Sequence, residues 1–170
     1  MSKAPDPLQL DSMLCFAVYA AEHAFTRFYK PRLEALGLTY PQYLVFLVLW
    51  EEDALTVKAL GERLFLDSGT ITPLVKRLET RGLLKRERDD KDERQVRVCL
   101  TTEGRALRDK ALAVPLAVGQ AVGGDADASA ALRLQLQRLR RQLDNALSSP
   151  STSETQEQPL PKVPSRSGTD

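Results

Sequence analysis

The chain is poor in the residues from which metal sites and hydrolytic triads are built. It holds two cysteines, Cys15 and Cys99, and one histidine, His23. The cysteines stand far apart with no metal-ligand spacing, so the ligand supply excludes a zinc site, and nothing pairs His23 with a nucleophile. Uninterrupted apolar runs of about 18 residues are also missing, and the opening MSKAPDPLQLDS lacks the charged-then-apolar profile of a secretory signal. These absences point to a soluble, cytoplasmic protein with no membrane partner, in surroundings too reducing for a structural disulfide. No metal or other cofactor is implied. A thiol-based peroxidase is still open, because it needs little more than one reactive cysteine.

Net charge, at +1, favours no class of partner, but its distribution does. From Lys76 to Arg97 nine Lys or Arg side chains stand against six acids. The rest of the composition, 42% hydrophobic and 28% charged over 170 residues, suits one globular domain or a core shared between two copies.

Along the chain, Leu8 to Leu36 repeats apolar residues at helical spacing over more than one face, which asks for a partner. Asp11 or Ser12 is placed to cap this helix, Pro31 to kink or restart it, and Gly37 to stop it. Pro41 suits the first turn of a second, core helix through Tyr43 to Trp50. Thr56 then caps a short helix over about 57–64. After a turn, another runs from about Thr70 to Arg81, starting near Gly69 so that Pro73 falls where backbone donors are free. LLKRER and QVRVCLT alternate around the charged DDKDE, the pattern of a two-stranded hairpin. Helices over about 102–114 and 126–147 follow, broken at Gly123 and Gly124, the second amphipathic through Leu132, Leu136, Leu139, Leu143 and Leu147. From Ser148 onward, proline-rich and apolar-poor, the chain reads as a disordered tail, 148–170.

The expected fold is mainly α with a small β-hairpin wing. A winged helix-turn-helix at about 55–101 is flanked by dimerisation helices at about 8–37 and 102–147, all within residues 1–147. In such a domain the second helix of the pair enters the DNA major groove, here offering Ser68, Thr70, Thr72, Lys76 and Arg77 to phosphates and base edges. An ordinary solvated helix face would also carry Lys76 and Arg77; the charged hairpin beside it favours DNA.

RLFLDSGTITPLVKRLETRGLLKRERDDKDERQVRVCLTTEG resembles the recognition helix and wing of the MarR family of dimeric bacterial transcription regulators. The resemblance implies that Arg94 reaches the minor groove and that Asp92 holds it in position, ahead of Leu100, Thr101 and Gly104. LCFAVY, FYKPRLEALGLTYPQYLVFLVLWE and LFLDSGTITPL are similar to the organic hydroperoxide resistance branch of that family. There an N-terminal cysteine senses peroxide and tyrosines of the partner subunit hydrogen-bond to it. The matching positions are Cys15, Tyr29 and Tyr40, with Tyr19 nearby. Independently of that likeness, 14 positions separate Cys15 from Tyr29, about 21 Å along one helix, so the two can meet only between two chains.

These readings converge on a homodimeric repressor of double-stranded operator DNA that lets go when an organic hydroperoxide oxidises Cys15. A helix N-terminus and phenolic hydrogen bonds favour the thiolate, and Leu14, Phe16, Phe25, Phe28 and Phe46 are candidate apolar surroundings. Cys99, at the end of the wing's second strand, reads as strand filler. The Cys15 sulfenate is then captured by a low-molecular-weight thiol or overoxidised. A regulator answering to another oxidant or to a phenolic ligand is the alternative; the thiol peroxidase lacks a well-placed resolving cysteine.

Overall fold

The computed structural model describes residues 8–89 and 95–148 of the chain. A 3-10 turn, Leu10–Ser12, comes first, and helix α1 follows as Leu14–Glu34. Neither Asp11 nor Ser12 caps α1. Both are used in the 3-10 turn, closed by Ser12 N–H to Gln9 O and Met13 N–H to Leu10 O at 3.0 Å, and extended Met13 then starts the helix with no side-chain cap. Nor does Pro31 restart the helix, which runs on to Glu34. Beside it the Arg32 guanidinium donates to the Phe28 carbonyl at 2.7 Å and lies 3.6 Å over the Phe28 ring. Only Leu33 of α1 is buried. Gly37, at φ 65°, ends the segment as expected, and its carbonyl accepts from Arg81 at 2.6 Å.

Helix α2, Tyr40–Glu51, is apolar nearly all round and is therefore buried. Thr39 and Gln42 form a capping box, with the Thr39 N–H donating to Gln42 Oε1 at 2.9 Å, and Pro41 sits in the first turn where its missing donor costs nothing. Val45, Phe46 and Leu49 pack with Leu33, Leu60, Ile71, Val75, Leu78, Leu84 and Val98 as one core.

Strand β1, Leu55–Thr56, leads into α3, Val57–Leu64, where the Thr56 hydroxyl accepts from Ala59 N–H at 3.1 Å. Helix α4 is Ser68–Thr80, capped by Asp67, which accepts from Thr70 N–H at 2.9 Å. It starts earlier than the proline argument placed it. Pro73 consequently lies in the second turn, where it withholds the amide that would bond to the Gly69 carbonyl.

The wing consists of β2, Leu84–Arg88, and β3, Val96–Leu100, paired antiparallel from Leu84 opposite Leu100 to Arg88 opposite Val96. Sequence patterning gave two strands; there are three, in the order β1-β3-β2, because Leu55 pairs with Val98 and Thr56 with Arg97. Helix α5, Thr102–Ala111, and α6, Ala113–Ala121, replace the single helix expected over 102–114. At their start Gly104 meets the Leu83 carbonyl so closely that a Cβ there would lie 2.1 Å from its oxygen.

From Asp125 onward the described residues form a second unit. Its described element is α7, Ala126–Ser148, which keeps Leu132, Leu136, Leu143 and Leu147 exposed. Ser148 thus ends a helix, and the rest of the expected tail, 149–170, lies outside the described residues. Among the described residues no helix is long and apolar enough to cross a membrane.

Candidate redox site and nucleic-acid interface

Cys15 is the second residue of α1 and is exposed. Tyr29 lies fourteen residues further along the same unbroken helix, roughly 21 Å away by helical rise. There its ring stands 4.8 Å from Tyr40 and 6.2 Å from Tyr43. The fold therefore assembles Tyr29 and Tyr40 and leaves Cys15 near the other end of α1. Tyr19 belongs to the cysteine's end, exposed, edge-on to His23 at 4.2 Å and stacked on Phe16 at 6.3 Å. Leu14 and Phe25 are exposed along α1, whereas Phe46 is wholly buried in the core and lines no surface.

Burial, then the neighbouring Tyr40 and Tyr43 phenols, push Tyr29 up to about 12. Tyr40 is raised by burial and then by Glu22, and Tyr43 by burial and then by Tyr40. Phenols held neutral in this way are hydrogen-bond donors for an anion. Tyr43 was missed in the sequence, although its spacing of three from Tyr40 places both on one face of α2.

Cys99 is buried in β3 with its sulfur 3.5 Å from Glu87 Oε2. Burial and then the Glu87 carboxylate push this thiol up, which suits packing and opposes nucleophilic work.

On α4, Ile71, Val75 and Leu78 are buried, while Ser68, Thr70, Thr72, Lys76 and Arg77 are all exposed on the other side. The Thr70 hydroxyl donates to Asp67 at 3.0 Å, and this bond is the main cause holding the Asp67 carboxyl below its ordinary range. Among the described residues the Lys76 and Arg77 side chains make no ion pair, unlike Arg86, which pairs with Glu79 at 2.7 Å, and Lys85, which pairs with Glu87 at 2.5 Å. Two cations are thus left available to phosphate. Asp92 and Arg94 lie outside the described residues.

The base of the wing is anchored by residues that the sequence did not single out. Asp53, just past α2, accepts from Leu100 N–H at 2.9 Å and pairs with Arg105. Arg97 on β3 donates to the Ala54 carbonyl at 2.8 Å and pairs with buried Asp89. Trp50 Nε1 donates to Gly104 O at 3.1 Å. One end of α2 therefore carries the tyrosines and the other holds the wing and α5.

A helix-turn-helix followed by a sheet-anchored wing defines the class of winged-helix DNA-binding regulators. The model of the transcriptional regulator SarA/Rot family matches residues 27–111. HTH-type transcriptional regulator TtmR of Methylorubrum extorquens (strain PA1) is 56% identical over 138 residues, 81% of this chain and 71% of its own. The organic hydroperoxide resistance transcriptional regulator of Bacillus subtilis (strain 168) is 50% identical over 110 residues, 65% of this chain and 75% of its own. AbfR of Staphylococcus epidermidis shares the fold at a TM-score of 0.69 and 36% identity, over 80% of this chain and 94% of that one. AbfR solved overoxidised and bound to DNA aligns at a TM-score of 0.65 and 37% identity, over 79% of this chain and 94% of that one. The chain belongs to the MarR-type winged-helix transcriptional regulators, in the company of the organic hydroperoxide resistance branch. It is a transcriptional regulator and not an enzyme.

Proposed function

We propose that the protein is a homodimeric repressor that holds operator DNA while Cys15 is reduced and releases it when an organic hydroperoxide oxidises that thiol. One observation carries this reading: Cys15 stands in the first turn of one continuous helix and Tyr29, its ring packed on Tyr40 of α2, about four turns further along it, and the surface of that helix is almost wholly uncovered. Two α1 helices packed antiparallel about a two-fold axis, crossing near Glu22, bring each cysteine to the partner's phenols, and give two such sites per dimer.

The Cys15 thiolate attacks the terminal peroxide oxygen. An S–O bond forms, the O–O bond breaks, and the alkoxide leaves as the alcohol after taking a proton, leaving a sulfenic acid. A low-molecular-weight thiol then condenses with it, forming an S–S bond and releasing water. AbfR has been solved on DNA both reduced and overoxidised, and separately with its disulfide formed. In that relative, overoxidation is compatible with bound DNA. The bulkier mixed disulfide is accordingly the releasing state proposed here, because it cannot fit between the partner's phenols and shifts the helices that space the two α4 elements. Ser68, Thr70, Thr72, Lys76 and Arg77 are the proposed major-groove contacts, and Arg94, held by Asp92, the minor-groove one.

The test is DNA binding by fluorescence anisotropy under cumene hydroperoxide plus a small thiol. Wild type and Cys99→Ser should release DNA and Cys15→Ser should not. Release of Cys15→Ser at the wild-type dose sinks the mechanism, and a silent Cys99→Ser overturns the one-cysteine route. A crevice of about 260 Å³ lined by Phe25, Phe28, Val118 and Val122 supports the second reading, a small phenolic ligand. Release of Cys15→Ser by a non-oxidising phenol would favour it.

A further inference from the structure

Helix α1 and the start of α2 border a hollow of about 470 Å³ beside the phenols. Buried Leu33 and Leu38 give it an apolar floor, and Lys30, Glu34 and Tyr40 stand in its walls. Lys30 and Glu34 are four positions apart on α1, a spacing at which opposite charges commonly pair. Among the described residues neither is in an ion pair, so the hollow offers a cation and a carboxylate about one helical turn apart. Over an apolar floor, that set of groups complements a small zwitterion with a short hydrocarbon body.

Tyr40 ties the hollow to the sensor. Its ring stands 4.8 Å from Tyr29, and it also lines the hollow. With two α1 helices crossing near Glu22, position 14 of the partner lies level with position 30, so the partner's helix begins beside Lys30. The stretch of hollow from Lys30 to Glu34 then lies beyond the end of that helix. The partner's Cys15, in its first turn, faces the inner edge of the hollow, where Tyr40 stands.

We propose that this hollow is the docking site of the low-molecular-weight thiol, and that the thiol is of the amino-acid type, with its carboxylate on Lys30 and its ammonium on Glu34. The docking rests on the sensor reading above and names the class of thiol that completes it. The docked thiol gives up its proton and its sulfur attacks the Cys15 sulfenic sulfur. An S–S bond forms as the S–O bond breaks, and the departing hydroxide takes up that proton and leaves as water. The adduct is then held between α1 and the start of α2, the two elements that carry the phenols.

For the test, the full chain is oxidised with one equivalent of cumene hydroperoxide and the sulfenic acid is confirmed by dimedone labelling. Mixed-disulfide formation at Cys15 is followed by mass spectrometry with L-cysteine, cysteamine, mercaptopropionate and neutral mercaptoethanol. Each rate is divided by the mercaptoethanol rate of the same variant, which removes differences common to all thiols. The L-cysteine ratio should fall roughly threefold to fivefold in Lys30→Gln and in Glu34→Gln, the size expected of an exposed ion pair. It should hold in Lys30→Arg and in Arg27→Gln, whose charge lies on α1 outside the hollow. Lys30→Gln should slow mercaptopropionate but not cysteamine, and Glu34→Gln the reverse. An unchanged L-cysteine ratio in Lys30→Gln overturns the docking. So does an equal fall in Arg27→Gln, which marks a long-range effect of charge, or equal slowing of mercaptopropionate and cysteamine in one variant, which marks a distorted site. If wild type forms no mixed disulfide with any of the four thiols, the sensor reading fails and the docking with it; if the disulfide forms and the ratios ignore Lys30 and Glu34, only the docking fails.

Discussion

At the scale of single residues, the two cysteines are told apart by their neighbours. Cys15 is exposed at a helix start, while Cys99 is buried beside the Glu87 carboxylate. The sequence distinguished them mainly by resemblance, and the fold adds the physical reason. The tyrosines give a titration test. Burial holds Tyr29 protonated up to about 12, and Tyr40 and Tyr43 above the ordinary 10.0. A raised folded-state value means that the unfolded chain gives up its protons first. The contribution to stability is complete below pH 10 and is lost as pH rises toward 12. The ultraviolet tyrosinate band should therefore grow late for these three, together with loss of far-ultraviolet helical signal. Complete ionisation of all four tyrosines near pH 10 in a folded protein would contradict the cluster.

At the scale of elements, α2 connects the phenols at one end to the wing and α5 at the other. The close approach of Gly104 to Leu83 belongs to that junction: its carbonyl accepts from Trp50 and its N–H donates to Thr101 Oγ1 at 3.1 Å. Gly104→Ala would drive a Cβ into backbone, so a loss of about 1–3 kcal/mol or more is expected in urea unfolding followed by Trp50 fluorescence. An unchanged midpoint would show that the junction yields freely. Local chemistry explains what could be read in advance. Thr56, Gly37 and Pro41 act within a turn of their own positions, and their elements fell where the caps placed them. The alternation of β2 and β3 was likewise visible, as was the exposed face of Ser68, Thr70, Thr72, Lys76 and Arg77, which follows from helical period alone. Strand β1 was not, since two residues carry no pattern and Leu55–Thr56 becomes a strand only by meeting Val98 and Arg97. The same holds for Asp53 with Leu100 and Arg105 and for Arg97 with Ala54, which join chain segments far apart in sequence, while Asp89 meets Arg97 only once β2 and β3 have paired. Asp67 precedes the start that Pro73 alone implies, and its carboxylate, accepting from Thr70 N–H, brings α4 in at Ser68 despite the proline.

At the scale of the molecule, the uncovered face of α1 and the exposed leucines of α7 both ask for a second chain, and the proposed sensor is complete only across that contact. Its composite nature can be tested by complementation. In a dimer, one site pairs Cys15 of the first chain with the second chain's Tyr29, and the other site is the reverse. Mixing a Cys15→Ser chain with a Tyr29→Phe chain leaves one site with neither functional group and restores the other in full. Combining both substitutions in one chain and mixing it with wild type leaves no complete site, because the one remaining Cys15 faces a phenylalanine. The two heterodimers carry the same substitutions in the same number and differ only in their distribution. The first should release DNA under cumene hydroperoxide and a small thiol at nearly the wild-type dose, and the second should need several-fold more. Equal responses from the two differently tagged and purified heterodimers would mean that Cys15 and Tyr29 do not act across the interface.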